Sequence, residues 1–334
     1  MAGSGKAHLR PADEVLIQVE DLVVEFPAAK KRTVKAVSGI SLDVKAGETL
    51  GLVGESGCGK STVARSLIQL PPPKSGSVVV NGVELTDLSE QGLRPHRTQL
   101  QMIFQDPISS LNPRRRVADI VAEPLRVWGP HDEQEQIEIV DRMLHAVGLD
   151  PEVARDKRPH EFSGGQCQRI SIARSLVLGP KVLICDEPVS ALDVSVQAQI
   201  LNLLRDLKAE YGLTLVFIAH DLAVVKNVSD LVAVMYLGKL CEVAEPDDLY
   251  ANAAHPYTSL LLESIPEPDP AAIIDETVDL VGEVPSSIDP PSGCRFRTRC
   301  PHATEKCENE EPQMREVSAG HHVACHHPLV AVAG

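Results

Sequence analysis

The eight residues GESGCGKS, numbered 54 to 61, fit the pattern G-x-x-x-x-G-K-[ST]. A chain of this length and average composition contains that pattern by accident in about one case in a hundred. The apolar run Thr49 to Val53 precedes it and predicts a strand, and Thr62 to Leu70 predicts a helix. Glycines let successive backbone N–H groups point at phosphate oxygens, and a helix start adds partial positive charge. The segment, called the P-loop below, therefore predicts phosphate binding.

Lysine and serine at the end of this loop have chemistry that suits a nucleotide. Lys60 is expected to reach the β- and γ-phosphates, and Ser61 is expected to bind Mg²⁺. The alternative, an ordinary glycine turn followed by a surface lysine, is disfavoured because a strand and a helix flank the motif.

Two acidic residues end the apolar run VLICDE, residues 182 to 187. Magnesium needs carboxylate oxygen near a phosphate-binding loop, which makes Asp186 the expected metal ligand. Glu187 follows it and is expected to act as a general base that takes a proton from water. His220 after TLVFIA and Gln105 after QMIF also follow predicted strands, where open α/β sheets bind ligands. Each of these residues alone would more often be structural.

A second turn suited to anions occurs at FSGGQCQR, residues 162 to 169, directly before an apolar helix. Ser163, Gly164 and Gly165 form the turn, and Gln166 follows it. One P-loop does not need a second phosphate-facing turn. The sequence therefore predicts two phosphate-binding surfaces.

Four of the eight cysteines fall near the end of the chain: Cys294, Cys300, Cys307 and Cys325. The gaps of five, six and seventeen residues differ from the shorter gaps of most structural zinc sites and from common ferredoxin spacings. Four thiolates are soft ligands that suit either Zn²⁺ or an iron–sulfur cluster. Five nearby histidines could substitute as ligands but are expected to be solvated loop residues: His302, His321, His322, His326 and His327.

The elements that must position these residues are predicted as an α/β fold. Short β-branched runs up to residue 104 indicate strands, and QEQIEIVDRMLHAVGL indicates a helix closing at Gly148. Another helix carries Ile200 and Leu204 and ends near Gly212, between two strands, which implies a parallel sheet. We expect a mobile tail over 1–13, a nucleotide-binding domain over 14–256 with an inserted helical subdomain at about 106–176, and a loop-rich extension over 257–334.

Composition narrows the function classes. The chain has 334 residues, 43% of them hydrophobic, which allows an ordinary buried core. A formal net charge of −15 disfavours non-specific binding to nucleic acid or anionic lipid. Neither a membrane-spanning run nor a secretory signal is recognisable, and the protein is expected in the cytoplasm.

Taken in order, the P-loop, Gln105, SGGQ, ICDEP, SALD (190–193) and His220 resemble the nucleotide-binding domain of an ABC ATPase over about residues 15–256. The resemblance implies a P-loop NTPase fold and two such domains packed head to tail, with ATP between the P-loop of one and the SGGQ turn of the other. It implies that Phe26 stacks on adenine, that Gln105 senses Mg²⁺ and water, that His220 contacts the γ-phosphate and that Asp193 makes a contact across the dimer. The implied ATP-binding residues of the loop are Gly54, Glu55, Ser56, Gly57, Cys58, Gly59, Lys60, Ser61 and Thr62.

Longer stretches, including FQDPISSLNPRRRVADIVAEPL and HPYTSLLL, resemble the ATP-binding subunits of oligopeptide and dipeptide permeases, most closely the F-type. The resemblance implies a D-type paralogue as partner (a homodimer being the alternative), two membrane permease subunits, an extracytoplasmic binding protein and a place at the cytoplasmic face of the membrane. It implies ATP hydrolysis coupled to peptide uptake, with nickel or another small solute as the competing cargo. The GCRFRTRCP…C…AC layout resembles a C-terminal motif that holds a [4Fe–4S] cluster, although Arg295 stands where proline is expected.

Two other classes of protein use related motifs. Soluble ABC proteins that act on nucleic acid or ribosomes usually join two ATPase domains or insert long coiled coils, and this chain has neither feature. A P-loop kinase would leave FSGGQ unexplained.

Overall fold

The computed structural model of the chain describes residues 5–129, 132–265 and 283–331. Within those residues no helix combines the length and the apolar character needed to cross a bilayer. Parts of three predicted regions lie outside the described residues: 1–4 of the tail, 130–131 of the helical subdomain, and 266–282 and 332–334 of the extension.

Strands and helices alternate along the chain. The strands are β1 (Ile17–Pro27), β2 (Thr33–Val44), β3 (Thr49–Val53), β4 (Ser75–Val80), β5 (Val83–Glu84), β6 (Leu100–Ile103), β7 (Val182–Asp186), β8 (Thr214–Ala219), β9 (Leu231–Tyr236), β10 (Lys239–Ala244), β11 (Arg315–Ser318) and β12 (His321–Val323). The helices are α1 (Lys60–Leu67), α2 (Glu90–Arg97), α3 (Pro107–Ser110), α4 (Val117–Trp128), α5 (Glu133–Ala146), α6 (Pro151–Ala154), α7 (Gly164–Leu176), α8 (Val194–Tyr211), α9 (Leu222–Lys226), α10 (Pro246–Ala251), α11 (Pro256–Glu263) and α12 (Glu305–Asn309).

The chain forms two compact units, Met1–Asp87 with Ala219–Gly334, and Leu88–Ile218. The first unit holds an antiparallel sheet in the order β2-β1-β4-β5 and a second run of strands in the order β11-β12-β10-β9-β3. In that run β3 and β9 are parallel, while β9 and β10 form a hairpin. Leu237 and Gly238, both at positive φ, make its two-residue turn, a combination typical of tight hairpins.

The second unit, Leu88–Ile218, holds three parallel strands in the order β8-β7-β6. Helix α7 packs against α3, α4 and α5, and most of its residues after the first turn are buried. The predicted parallel α/β arrangement is therefore confirmed for these strands and for β3 with β9. The antiparallel pairs of the first unit make the sheets of the whole fold mixed.

Helix ends agree with the sequence prediction. Helix α5 ends before Gly148 at φ +74°, and α8 ends before Gly212 at φ +64°. Left-handed glycine after the last turn is a common helix stop because it carries no Cβ.

The extension, predicted as a region of its own, shares a sheet with the preceding chain. Strand β12 pairs with β10, with Val323 opposite Glu242 and His322 opposite Val243. Val323 also belongs to a buried apolar cluster with Ala254 and Val317. Residues 283–331 thus add two strands to the first unit and are otherwise mostly irregular.

The predicted mobile tail has ordered contacts in its described part. Arg10 pairs with Asp43 and Glu48 at 2.6 Å each, and the His8 ring lies 2.7 Å from the carbonyl oxygen of Ser41. Mobility of residues 1–13 in solution stays a prediction.

Candidate functional site

The backbone of the P-loop is folded tightly against its own unit. Gly54, Gly57 and Gly59 all adopt positive φ, which residues with a Cβ rarely do. A Cβ at Gly54 would overlap the carbonyl oxygen of Met235, and one at Gly59 would overlap that of Ala36. Glycine is therefore required at these two positions both by torsion angle and by space.

Lys60 begins helix α1 directly after the loop and is 4% exposed. Its ammonium group donates hydrogen bonds to the carbonyl oxygens of Gly54 at 2.6 Å and Glu55 at 3.0 Å. The ammonium group is thus held at the loop by two carbonyl oxygens, and it can exchange these partners for the oxygens of a bound phosphate. The N-cap residue of α1 is Gly59, which has no side chain with which to cap the helix, so the partial positive charge of a helix start can act on an anion.

The remaining loop positions complete this surface. Ser56 and Gly57 are exposed, Cys58 is buried, and burial raises the pKa of the Cys58 thiol. Ser61 and Thr62 follow Lys60 in the first turn of α1 and are half-buried. The N–H of Gly238 donates to the carbonyl oxygen of Cys58 at 2.8 Å, which ties the loop to the β9–β10 turn.

Phe26 and His220 are two further predicted ligand contacts in the first unit. Phe26 lies in β1 opposite Val34 and is half-buried. His220 directly follows β8 and is exposed. The positions leave both rings partly accessible, and their roles toward a nucleotide stay predictions.

The second unit, Leu88–Ile218, brings two predicted residues into contact. Gln105 follows β6, Glu187 follows β7, and the two strands are parallel with Ile103 opposite Cys185. Because parallel strands end at the same edge, their carboxyl-terminal residues lie side by side. The Gln105 amide donates to a Glu187 carboxylate oxygen at 2.8 Å.

Glu187 has an unusual backbone. Its φ is +48°, in the left-handed region that non-glycine residues seldom occupy. Its N–H donates to the carbonyl oxygen of Ile218 at 3.1 Å, and its own carbonyl oxygen accepts from the Ser190 hydroxyl at 3.1 Å. Strained residues of this kind cluster at functional sites. Asp186, one residue earlier, is fully buried at the end of β7.

The SGGQ turn begins helix α7 as a reciprocal cap. The Ser163 hydroxyl accepts from the N–H of Gln166 at 3.3 Å, and the Gln166 amide oxygen accepts from the N–H of Ser163 at 3.0 Å. Ser163 and Gln166 are exposed, and Gly164 and Gly165 are half-buried. A Cβ at Gly165 would lie 2.5 Å from Val196, so close packing against α8 also favours glycine there. Asp193 precedes α8 and is exposed.

The four C-terminal cysteines are free thiols, of which Cys307 is buried and Cys294, Cys300 and Cys325 are half-buried. Burial raises the pKa of Cys294 to about 11 and that of Cys325 to about 12, and the nearby thiols of Cys300 and Cys307 add to both shifts. Cys294 also donates its N–H to the carbonyl oxygen of Cys307 at 2.8 Å. In the part of the chain that the structure describes, no three or more His, Cys, Asp or Glu side chains are arranged as a metal site.

His321 departs from the prediction that the five nearby histidines are solvated. It is 1% exposed, and its ring nitrogens lie 2.6 Å from Glu242 and 2.7 Å from Asp248. Burial opposes a charge on the ring, but the hydrogen bonds to the two carboxylates raise the pKa of His321 above its ordinary value. His321 is therefore occupied by two acids and does not serve as a spare thiol-site ligand.

Two contacts to the P-loop were not predicted from the sequence. The N–H of Glu55 donates to the Tyr257 hydroxyl at 2.8 Å, and the Glu55 carboxylate accepts two hydrogen bonds from Arg299. Tyr257 belongs to HPYTSLLL and Arg299 to GCRFRTRCP. Both residues lie in motifs that the sequence singles out, which is the signal that could have drawn attention to them. The separation of 244 positions between Glu55 and Arg299 explains why their pairing could not be predicted.

Two known families match the chain. Residues 37–190 match the family described as "ABC transporter", and residues 241–307 match the family described as "Oligopeptide/dipeptide transporter, C-terminal region".

Named relatives are similar over nearly the full length. The chain is 51% identical over 322 residues to the oligopeptide transport ATP-binding protein OppF of Escherichia coli K12, which covers 93% of this chain and 96% of the relative. It is 47% identical over 321 residues to the oligopeptide transport ATP-binding protein AppF of Bacillus subtilis, with 94% and 97% covered.

Solved structures share the fold. The ATP-binding cassette MJ0796 in its dimeric post-hydrolysis state with ADP and Pi superposes with a TM-score of 0.63 at 26% identity, over 69% of this chain and 98% of that one. The cbiO1 protein of Clostridium perfringens, part of the cbiONQ transporter complex, gives 0.63 at 31% identity, over 71% and 91%.

Proposed function

The chain belongs to the ABC transporter family, among the oligopeptide transport ATP-binding proteins, and from that premise we propose that it hydrolyses ATP to drive uptake of oligopeptides or dipeptides. The observation that carries the proposal is the similarity to OppF of Escherichia coli, which spans both the ATPase region and the C-terminal region. The glycine-shaped P-loop with its buried Lys60 supplies the chemistry that this function needs.

In the proposed reaction Lys60 and the first turn of α1 hold the β- and γ-phosphates, and Phe26 stacks on adenine. Ser61, Gln105 and Asp186 are the proposed magnesium ligands; bound Mg²⁺ would neutralise charge on the phosphates. Glu187 accepts a proton from the attacking water, while Gln105 holds its carboxylate at 2.8 Å and His220 contacts the γ-phosphate.

The SGGQ turn is proposed to act in a second chain. Ser163 and Gln166 are exposed at the start of α7, and Asp193 is exposed before α8. The dimeric solved structure of MJ0796, bound to ADP and Pi, supports an assembly of two such domains. We propose that these residues complete the ATP site of a partner ATPase, a D-type paralogue or a second copy.

The assembled importer is proposed to include two membrane permease subunits and an extracytoplasmic binding protein, with this chain on the cytoplasmic face. The proposed division of the chain remains a nucleotide-binding domain over 14–256, with its helical subdomain at about 106–176, and an extension over 257–334. The two family matches, at 37–190 and 241–307, support an ATPase region followed by an extension.

Uptake by the reconstituted complex tests the cargo. Proteoliposomes holding the permease subunits, both ATPase subunits and the binding protein should accumulate a labelled oligopeptide when ATP is supplied, and should lose this uptake with Lys60→Ala. Uptake of nickel in place of peptide would contradict the cargo. Capture of ribosomes or DNA by the purified chain, without permease subunits, would contradict the function itself.

We further propose that Cys294, Cys300, Cys307 and Cys325 hold a [4Fe–4S] cluster with a structural role. The support is that all four are free thiols and soft donors, and that the largely irregular chain of 283–331 has few apolar residues with which to fold by burial alone. Zn²⁺ is the alternative occupant. Protein purified without oxygen should be brown and contain iron and acid-labile sulfide, both lost with Cys300→Ser. Stoichiometric zinc without sulfide, or four freely reactive thiols, would contradict the cluster.

A further inference from the structure

Glu55, the second residue of the P-loop, is paired with an arginine from the C-terminal region. Arg299 donates two parallel hydrogen bonds to the Glu55 carboxylate, Nη1 to Oε2 at 2.7 Å and Nη2 to Oε1 at 2.9 Å. Bidentate pairs of this kind fix geometry as well as charge. The carboxylate is thereby held in one orientation beside the loop.

The surroundings of Arg299 separate this contact from an ordinary surface ion pair. The side chain is 3% exposed, and its guanidinium lies over the rings of Tyr236 and Phe296 at 5.7 and 5.9 Å. Nη1 also donates to the Tyr236 hydroxyl at 3.3 Å. Glu55 is 18% exposed, so the pair is partly buried and is screened by salt less than a surface pair; removing Glu55 alone would leave the Arg299 charge buried and uncompensated.

The backbone of Glu55 is fixed at the same time. Its N–H donates to the Tyr257 hydroxyl at 2.8 Å, and its carbonyl oxygen accepts from the Lys60 ammonium at 3.0 Å. Tyr257 is itself packed edge-on against Tyr236, with ring centroids 4.7 Å apart. The residue that helps to hold Lys60 is thus anchored by two side chains from beyond residue 256.

A carboxylate inside a phosphate-binding loop repels the phosphates unless a cation compensates it. We propose that Arg299 is a positioning residue that neutralises and orients Glu55, so that the C-terminal region sets the affinity of the P-loop for ATP. This inference rests on the proposed binding of ATP at Lys60. It assigns to Arg299 an effect on nucleotide affinity through Glu55, with no contact to the nucleotide.

Binding of the fluorescent nucleotide MANT-ATP with Mg²⁺ to the purified full chain tests the inference. Arg299→Gln should raise the Kd about 10-fold, because the loop loses its pre-set geometry and gains an uncompensated negative charge. Glu55→Gln combined with Arg299→Gln removes that charge and should recover part of the affinity. Arg297→Gln is the matched control, since the Arg297 side chain donates to Ser292 at 3.1 Å and pairs with Glu308 at 3.8 Å, both within the C-terminal region and away from the P-loop.

The rescue distinguishes charge compensation from loss of structure, because a purely structural defect would deepen in the double variant. If Arg299→Gln does not fold, as judged by thermal unfolding, Arg299→Lys keeps the charge without the bidentate geometry and should give an intermediate Kd. A wild-type Kd in Arg299→Gln, or in Arg299→Lys where that variant carries the test, would overturn the inference, as would a double variant that binds no more tightly than Arg299→Gln. A wild-type chain that binds no MANT-ATP, or a Lys60→Ala variant that binds it normally, would instead contradict the proposed function and with it this inference.

Discussion

The P-loop and the cysteine region, residues 294–325, both have largely irregular backbone, but different interactions stabilise them. The path of the loop depends mainly on backbone packing: three glycines adopt positive φ, and Gly54 and Gly59 lie too close to the carbonyl oxygens of Met235 and Ala36 for a Cβ. The cysteine region is held by side chains whose partners are distant in sequence, Arg299 with Glu55 and His321 with Glu242. Substitutions that disturb the backbone should therefore destabilise the loop most, and substitutions that remove a buried charge pair should destabilise the cysteine region most.

The largest difference between variants is expected in the rate of ATP hydrolysis itself. Variants of the cysteine region should leave that rate nearly unchanged. Glu187→Gln should keep ATP binding and lower turnover by about 10² to 10⁴, because a general base is lost while Lys60 and Ser61 are intact. Hydrolysis by the assembled complex is the measurement, with the partner ATPase silenced beforehand. Arg299→Gln in the same complex should change the KM for ATP more than kcat. Turnover at the wild-type rate by Glu187→Gln would contradict the proposed role of Glu187 as general base.

Within the P-loop, a pair of alanine substitutions tests whether backbone packing holds it. Gly54→Ala should cost about 4 kcal/mol of unfolding free energy, since the new Cβ meets the Met235 carbonyl oxygen at an unfavourable φ. Gly57→Ala, at φ +78° with nothing within 4 Å of the new Cβ, should cost only about 1–2 kcal/mol. Urea unfolding compares the two variants. Equal costs would show that torsion strain, and not packing, decides.

Within the cysteine region, His321→Ala tests whether a buried charge pair holds β12 to β10. Glu242 is 0% exposed and would lose its ring partner, while the N–H groups of Ala254 and His255 would still donate to it. The expected cost is about 3 kcal/mol of unfolding free energy. His302→Ala, at an exposed position, is the control and should change stability by less than about 0.5 kcal/mol. A cost for His321→Ala as small as the control's would contradict the charge-pair account.

The smallest expected effect is a dependence of stability on pH that belongs to the cysteine region alone. The pKa of His321 is raised in the folded protein, so the folded state binds more protons than the unfolded state just above pH 6.5. Stability should be fullest below that pH and fall as the pH rises through the raised pKa, by about 1.4 kcal/mol for each pH unit of the shift. Thermal unfolding of the wild type and of His321→Ala between pH 6 and 8 measures it, because the stability difference between the two proteins should shrink as the pH rises, and the fall due to His321 should be absent from the variant.

Other histidines act in part of that window with the opposite sign. Burial lowers the pKa of His8, His255 and His322, so their contributions make stability rise with pH up to and just beyond pH 6.5, and comparison with His321→Ala removes them. The carboxyl of Asp248, hydrogen-bonded to Asn252 and His321, has a lowered pKa and titrates in acid. A fall that persists in His321→Ala would assign it to another group.

The features that could be predicted from the sequence are the local ones, and those that could not depend on partners distant in the chain. The loop, the strand ends at Gln105 and Glu187 and the helix stops at Gly148 and Gly212 were predictable, because each depends on residues within one motif or at the ends of adjacent strands. The pairing of β12 with β10, the contact of Arg299 with Glu55 and the burial of His321 were not. Each of these residues meets its partner only in the folded chain, and no local sequence pattern predicts which partner that is.

Peptide-dependent ATP hydrolysis by the assembled complex tests the central claim most directly, that the P-loop of this chain works for peptide import. With ATP saturating, adding the binding protein loaded with an oligopeptide should raise the hydrolysis rate above that with the empty binding protein, and Lys60→Ala should reduce the increase. A rate that ignores the peptide, or that rises only when the binding protein carries nickel, would contradict the account.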